Sequence, residues 1–145
     1  MTVREAMEED LDGLLALYAH LHENPLPEKG GGLSALWQGI LADPNHHIIV
    51  ALASGQIVAS CVLLVVPNLT HGQRPYALVE NVVTAASHRR QGFASACLAH
   101  ARRLAQRQNC YKIMLLTGSK SQGTLRFYEK AGYNSADKTA FIQWL

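Results

Sequence analysis

Leu11, Leu14, Leu15, Tyr18 and Leu21 recur at helical spacing and predict an amphipathic helix from about Glu8 to His22. A short strand over Thr2–Ala6 precedes it. The chain breakers between Asn24 and Gly32 end the helix in a mobile loop, expected to wall a binding site. Leu33, Leu36, Trp37, Ile40 and Leu41 form a second helical face, stopped at Asp43-Pro44. The pattern then changes period. His47–Ala53 and Gln56–Val66 are apolar runs rich in Val and Ile, and Ser54-Gly55 between them predicts an antiparallel hairpin. Pro67–Pro75 is the next loop, a second expected wall, and Tyr76–Thr84 the next strand.

Beyond it, Ala94, Cys97, Leu98, Ala101, Leu104 and Ala105 line one face of a helix over Phe93–Ala105. Tyr111–Thr117 reads as a strand and Thr124–Ala131 as a helix capped by Gly132. Thr139–Leu145 is expected to supply a last strand. An antiparallel run followed by a β-α-β unit implies an α/β (α+β) fold. Its sheet is mixed and mostly antiparallel, with helices on both faces. One domain, residues 1–145, accommodates all of it.

Composition narrows the class without naming it. Apolar residues at 48% and charged residues at 17% describe an ordinary globular protein, and a net charge of +2 gives no argument for nucleic acid. No apolar run reaches the ~18 residues of a membrane span, and Met1–Glu9 is too polar for a leader. A soluble cytoplasmic protein is expected, with no membrane partner. Cys61, Cys97 and Cys110 lack metal-ligand spacing, and the seven histidines form no ligand cluster, so no metal is expected.

The stretch from Val82 to Ala94 carries the chemistry. A strand runs through a short turn into a helix whose first residues are small, leaving backbone N–H groups open to an anion. Gly92 and Ala94 let a phosphate approach the main chain, and Arg89 and Arg90 add positive charge. Arg89-Arg90-Gln91-Gly92-Phe93-Ala94 resembles the Arg/Gln-x-x-Gly-x-Gly/Ala element of the GCN5-related N-acetyltransferases. Phe127-Tyr128-Glu129-Lys130-Ala131-Gly132-Tyr133 is similar to a second element of that family, at the family's spacing.

The resemblance implies a sheet splayed between its fourth and fifth strands, with acetyl-CoA in the splay. It implies pyrophosphate at Arg89–Ala94, including Gln91 and Phe93, and pantetheine along the backbone of Val82, Val83 and Thr84. Tyr128 falls in the slot of the general acid, and Glu80 takes the amine proton or holds the acceptor. On strict strand alternation, Asn81 would face away from Glu80. Where many members carry Asn and Ala, seven and four residues before the tyrosine, this chain has Ser121 and Thr124. Both are small and polar, so they stay cofactor candidates, while the Asn-specific hydrogen bond does not carry over. Glu80-Asn81-Val82-Val83, Cys110-Tyr111-Lys112-Ile113 and Phe127-Tyr128-Glu129-Lys130 also resemble the glucosamine-6-phosphate N-acetyltransferase branch. The implied reaction moves acetyl from acetyl-CoA to a primary amine of a small molecule, by direct attack. The alternative is a non-catalytic acyl-CoA-binding or regulatory module. A homodimer stays open.

Overall fold

Strands covered on both faces read as continuous apolar runs, and the centre of this molecule is built from them. The computed structural model describes residues 1–21 and 25–145. Its sheet contains β1 (Thr2–Glu5), β2 (His46–Ala53), β3 (Gln56–Val66), β4 (Tyr76–Thr84) and β5 (Ile113–Leu115), in that spatial order. All neighbouring pairs are antiparallel except β4 and β5, which run parallel. Ser54 and Gly55 both have positive φ, the requirement of the tightest hairpin turn, and they join β2 to β3.

The helices are α1 (Leu11–Tyr18), α2 (Gly31–Ala42), α3 (Phe93–Arg107) and α4 (Gln122–Lys130). Ile49, Cys61, Leu63 and Val79 point to one side of the sheet, where Cys97, Leu98, Ala101 and Leu104 of α3 complete a core. Phe127 and Tyr128 of α4 pack against it, as does Ala131 just beyond the helix. Ile48, Val50 and Val62 point to the other side, against Leu14 of α1 and Trp37 of α2. Each large apolar side chain buried this way stabilises the fold by roughly 1.5–3 kcal/mol.

Four sequence expectations need correction. The first helix opens as a 3-10 turn over Glu8–Asp10 and α1 itself ends at Tyr18; the expected end at His22, like the start of the loop at Asn24, lies outside the described residues. Gly31 and Gly32 belong to α2, not to the loop, because burial of Trp37 and its Nε1–H bond to the Glu8 carbonyl (3.0 Å) outweigh glycine's poor helix propensity. β5 is three residues long where seven were expected. Among the described residues Thr139–Leu145 pairs with no strand and is wholly exposed, because after the Asn134–Asp137 turn no backbone hydrogen bond returns the chain to the sheet.

Asp10 fastens the entry to α1. Its carboxylate accepts from the Met7 N–H at 2.7 Å and from both terminal nitrogens of Arg4, one of them at 3.0 Å. The hydrogen bond from Arg4 holds this buried carboxyl below its ordinary range, with the Met7 N–H assisting and burial opposing. A lowered folded-state value stabilises the fold at every pH above the unfolded value of ~3.9, and that contribution is lost as pH falls through the folded value. Asp10→Asn should therefore destabilise the protein at pH 7. The cost should be about 3 kcal/mol, the lower end for breaking a buried pair, since the Arg4 side chain remains 27% exposed. Denaturant unfolding should show the gap to wild type narrowing below about pH 4. A gap constant across pH would assign the cost to packing.

Candidate active site

β4 and β5 are bonded only from Ala77–Ile113 to Val79–Leu115, so from Glu80 onward β4 has no partner on that side among the described residues. The parting coincides with a bulge. Val62 faces Glu80 and Ser60 faces Val83, so Asn81 and Val82 together oppose Cys61. Asn81 absorbs the extra residue at φ 49°, a left-handed conformation that asparagine tolerates. The bulge shifts the phase of the strand: Ala77 and Val79 face the α3 side, and then Val82 does. Strict alternation therefore fails here. Both Glu80 and Asn81 are exposed, and burial pushes the Tyr18 phenol above its ordinary value, with the Ser60 and Asn81 side chains opposing it.

A 3-10 turn over Ala86–His88 leads from β4 towards α3. Arg90 (φ 60°) and Gly92 (φ 87°) both adopt left-handed backbone, alternating with ordinary residues, the geometry that gathers successive N–H groups into an anion-binding concavity. The first backbone bond of α3 runs from Ala96 N–H to the Gly92 carbonyl (2.9 Å). The N–H groups of Phe93, Ala94 and Ser95 have no backbone acceptor among the described residues. Around Gly92 there is open space: a Cβ built there would meet nothing within 4 Å.

A groove of about 460 Å³ joins these parts. Val82, Val83 and Thr84 form one wall, and Arg89, Arg90, Gly92, Phe93 and Ala94 form its phosphate-sized end. Thr124 and Tyr128 of α4 close it from across the splay. Three expected residues stand apart. Gln91 turns back to donate to the Ser87 carbonyl at 3.0 Å. Ser121 caps α4, accepting from the Thr124 N–H at 3.2 Å. Glu80 lies beside the bulge, outside the groove lining. Conversely His20, Leu21, His88, Ser95, Gly123 and Phe127 line the groove without having been singled out. His88, Ser95 and Phe127 adjoin the motifs in sequence; His20 and Leu21 arrive from beyond α1 by tertiary packing, with no local signal. The loop Pro67–Pro75 is also misplaced as a wall of this groove. It joins β3 to the start of β4, whereas the groove lies at the other end of that strand.

Tyr128 is held by the end of its own helix. Gly132, at φ 95°, donates to the Glu129 carbonyl (2.9 Å) and Tyr133 donates to the Tyr128 carbonyl (3.1 Å), the paired bonds of a Schellman cap. The apolar contact that accompanies such a cap is Tyr133 edge-on to Tyr128, with centroids 6.2 Å apart; Phe127 lies 4.9 Å away. Burial, with a smaller contribution from Cys61, pushes the half-buried Tyr128 phenol above its ordinary value, so it stays a neutral donor at pH 7.

The sequence model of the acetyltransferase (GNAT) family matches residues 11–133. The chain belongs to that family. As a GNAT protein it is an acetyl-CoA-dependent N-acetyltransferase. It is 27% identical over 138 residues to an aminoglycoside N(6')-acetyltransferase type 1 of Serratia marcescens, covering 93% of this chain and 92% of that one. It is 30% identical over 88 residues to a glucosamine 6-phosphate N-acetyltransferase of Candida albicans, 61% of this chain and 57% of the relative. Among solved structures, a protein of Agrobacterium tumefaciens provisionally named an acetyltransferase superimposes with a TM-score of 0.91 at 38% identity. That match covers 99% of this chain and 100% of the other. Among the described residues no group of three His, Cys, Asp or Glu converges as a metal site, and no helix is long and apolar enough to cross a membrane.

Proposed function

We propose that the GNAT groove binds acetyl-CoA with its pyrophosphate on the Arg89–Ala94 turn and its pantetheine beside Val82–Thr84, and passes acetyl directly to a primary amine of a small molecule. The single observation that carries this reading is the convergence of three elements on one groove: an unpaired strand edge, a turn of open N–H groups, and a neutral phenol. Gly92, Phe93 and Ala94 would hold phosphate oxygens through main chain and helix dipole, with Arg89 and Arg90 supplying charge. Gln91 would keep the turn's shape through Ser87, and Thr124 would border the cofactor while Ser121 holds the helix that carries it.

In the reaction the amine nitrogen attacks the thioester carbonyl carbon, and the C–S bond breaks. A backbone N–H near Val83 polarises the carbonyl oxygen, and Tyr128 gives its proton to the departing sulfur. Glu80, exposed beside the bulge, accepts the amine proton through water. No acyl-enzyme step is needed, and the cysteines are poorly suited to one. Contact with Cys97 and burial push the Cys61 thiol up, and burial does the same to Cys110, so neither is an activated thiolate.

Small-molecule amines are the acceptor class because the matched relatives carry aminoglycoside and glucosamine 6-phosphate acetyltransferase names. The test is a panel of aminosugars, aminoglycosides, amino acids and polyamines incubated with acetyl-CoA while free thiol is followed. Release of thiol should require both an amine and the protein. Acetyl-CoA binding without amine-dependent release across the panel would favour the non-catalytic acyl-CoA-binding module.

A further inference from the structure

The groove opens on both faces of the sheet. Phe127 and Tyr128 in its lining pack against the α3 side. His20 and Leu21, also in its lining, follow directly on α1, whose Leu14 and Tyr18 pack on the other side. A single groove reaches both sides only where the sheet is interrupted, and β4 and β5 pair no further than Val79 and Leu115. Glu80 belongs to the α1 side too. It stands opposite Val62, which packs there, and directly opposed residues share a face.

On the direct-transfer reading, this two-sidedness divides the reactants. The cofactor enters along the Arg89–Ala94 turn and its sulfur departs towards Tyr128, on the α3 side. The amine then has to reach the carbonyl carbon from the α1 side, past His20 and Leu21. Among the described residues lining the groove there is no carboxylate. His88 is engaged at the phosphate end: its Nδ1 and the Ser87 hydroxyl lie 2.9 Å apart, and its ring stands edge-on to Phe93. His20 is exposed, and its ring has no hydrogen-bond partner among the described residues. A neutral imidazole presents one nitrogen with a free lone pair. An attacking amine uses its own lone pair on carbon, so its N–H groups are what it offers to the protein.

We propose that His20 accepts a hydrogen bond from the attacking amine and so aims the nitrogen lone pair at the thioester carbon. This assignment rests on the direct-transfer reading of the groove and names a residue that binds the acceptor within it. The proton released on attack still passes through water to Glu80, on the same side of the sheet. The contact is made by the bound amine before any bond forms and persists as the nitrogen attacks. It therefore acts as uniform binding, which shows in the KM for the amine more than in kcat. The cofactor, seated from the other side, gains nothing from it.

Steady-state kinetics with an amine that supports thiol release tests this. His20→Ala should raise the KM for that amine about fivefold to tenfold, the effect of one lost hydrogen bond, with kcat and the KM for acetyl-CoA nearly unchanged. His20→Gln keeps a side-chain oxygen able to accept the same bond and should recover most of the loss. Because the position is exposed, both variants should give native circular dichroism. An unchanged amine KM in folded His20→Ala overturns the proposal and leaves direct transfer standing. So does a raised KM for acetyl-CoA alone, which would set the ring against the cofactor. Failure of the unaltered protein to release thiol with any amine overturns direct transfer itself, and this contact with it.

Discussion

Gly92→Glu should abolish acetyl-CoA binding in a chain that still folds. The position leads the anion-binding turn, and the space around it is open, so a glutamate carboxylate would occupy the phosphate's place. Two unit charges ~4 Å apart repel by about 4 kcal/mol at an effective dielectric of 20, close to a thousand-fold in affinity. The left-handed backbone adds about 1–2 kcal/mol for any side chain. Gly92→Ala isolates that second cost: with no neighbour for its methyl group to strike, it should weaken binding far less than the glutamate does. Calorimetry with circular dichroism on both variants checks this. Unchanged affinity in a folded Gly92→Glu protein would remove the turn as the pyrophosphate site.

Tyr128→Phe should lower kcat by about 10²–10⁴ while leaving acetyl-CoA affinity nearly unaltered. The hydroxyl matters when charge develops on sulfur, whereas the ring keeps its contacts with Phe127 and Tyr133. A general acid acts in its protonated form, and this phenol is pushed above its ordinary value of 10.0 by burial. The wild-type rate should therefore hold through mildly alkaline pH and fall only beyond that value, and the phenylalanine variant should lack this fall. Wild-type turnover in the variant across pH would return Tyr128 to a packing role.

Legibility in the sequence followed the local determinants of structure. β3 and β4 begin and end where their apolar runs do, because Ser54-Gly55, Pro67 and Pro75 punctuate them locally. The start of α3 and the Gly132 cap were readable for the same reason, and with them most of the groove. What escaped depends on distant partners. The Asp10 carboxylate tightens the start of α1 through Arg4, six residues back, and Trp37 draws two glycines into a helix by packing on the far side of the sheet. The Asn81 bulge depends on β3 offering one residue against two, which no pattern within β4 reveals. Glu80 was assigned by position in a strand, and the bulge set it outside the groove lining.

The brief β4–β5 pairing also bears on how the molecule responds to its ligand. β2, β3 and β4 are joined along nearly their full lengths, while β5 holds to the sheet by three residue pairs. The cheapest local opening of the sheet therefore detaches β5, leaving the meander intact. A cofactor seated as proposed, against β4 and α4 at once, would bind only the closed form. Each binding event then subtracts from the open population, and ligand at a hundred times its Kd stabilises the closed form by about 2.7 kcal/mol. The strand that contributes least to the fold becomes, through this linkage, the one that reports most sensitively on occupancy of the groove.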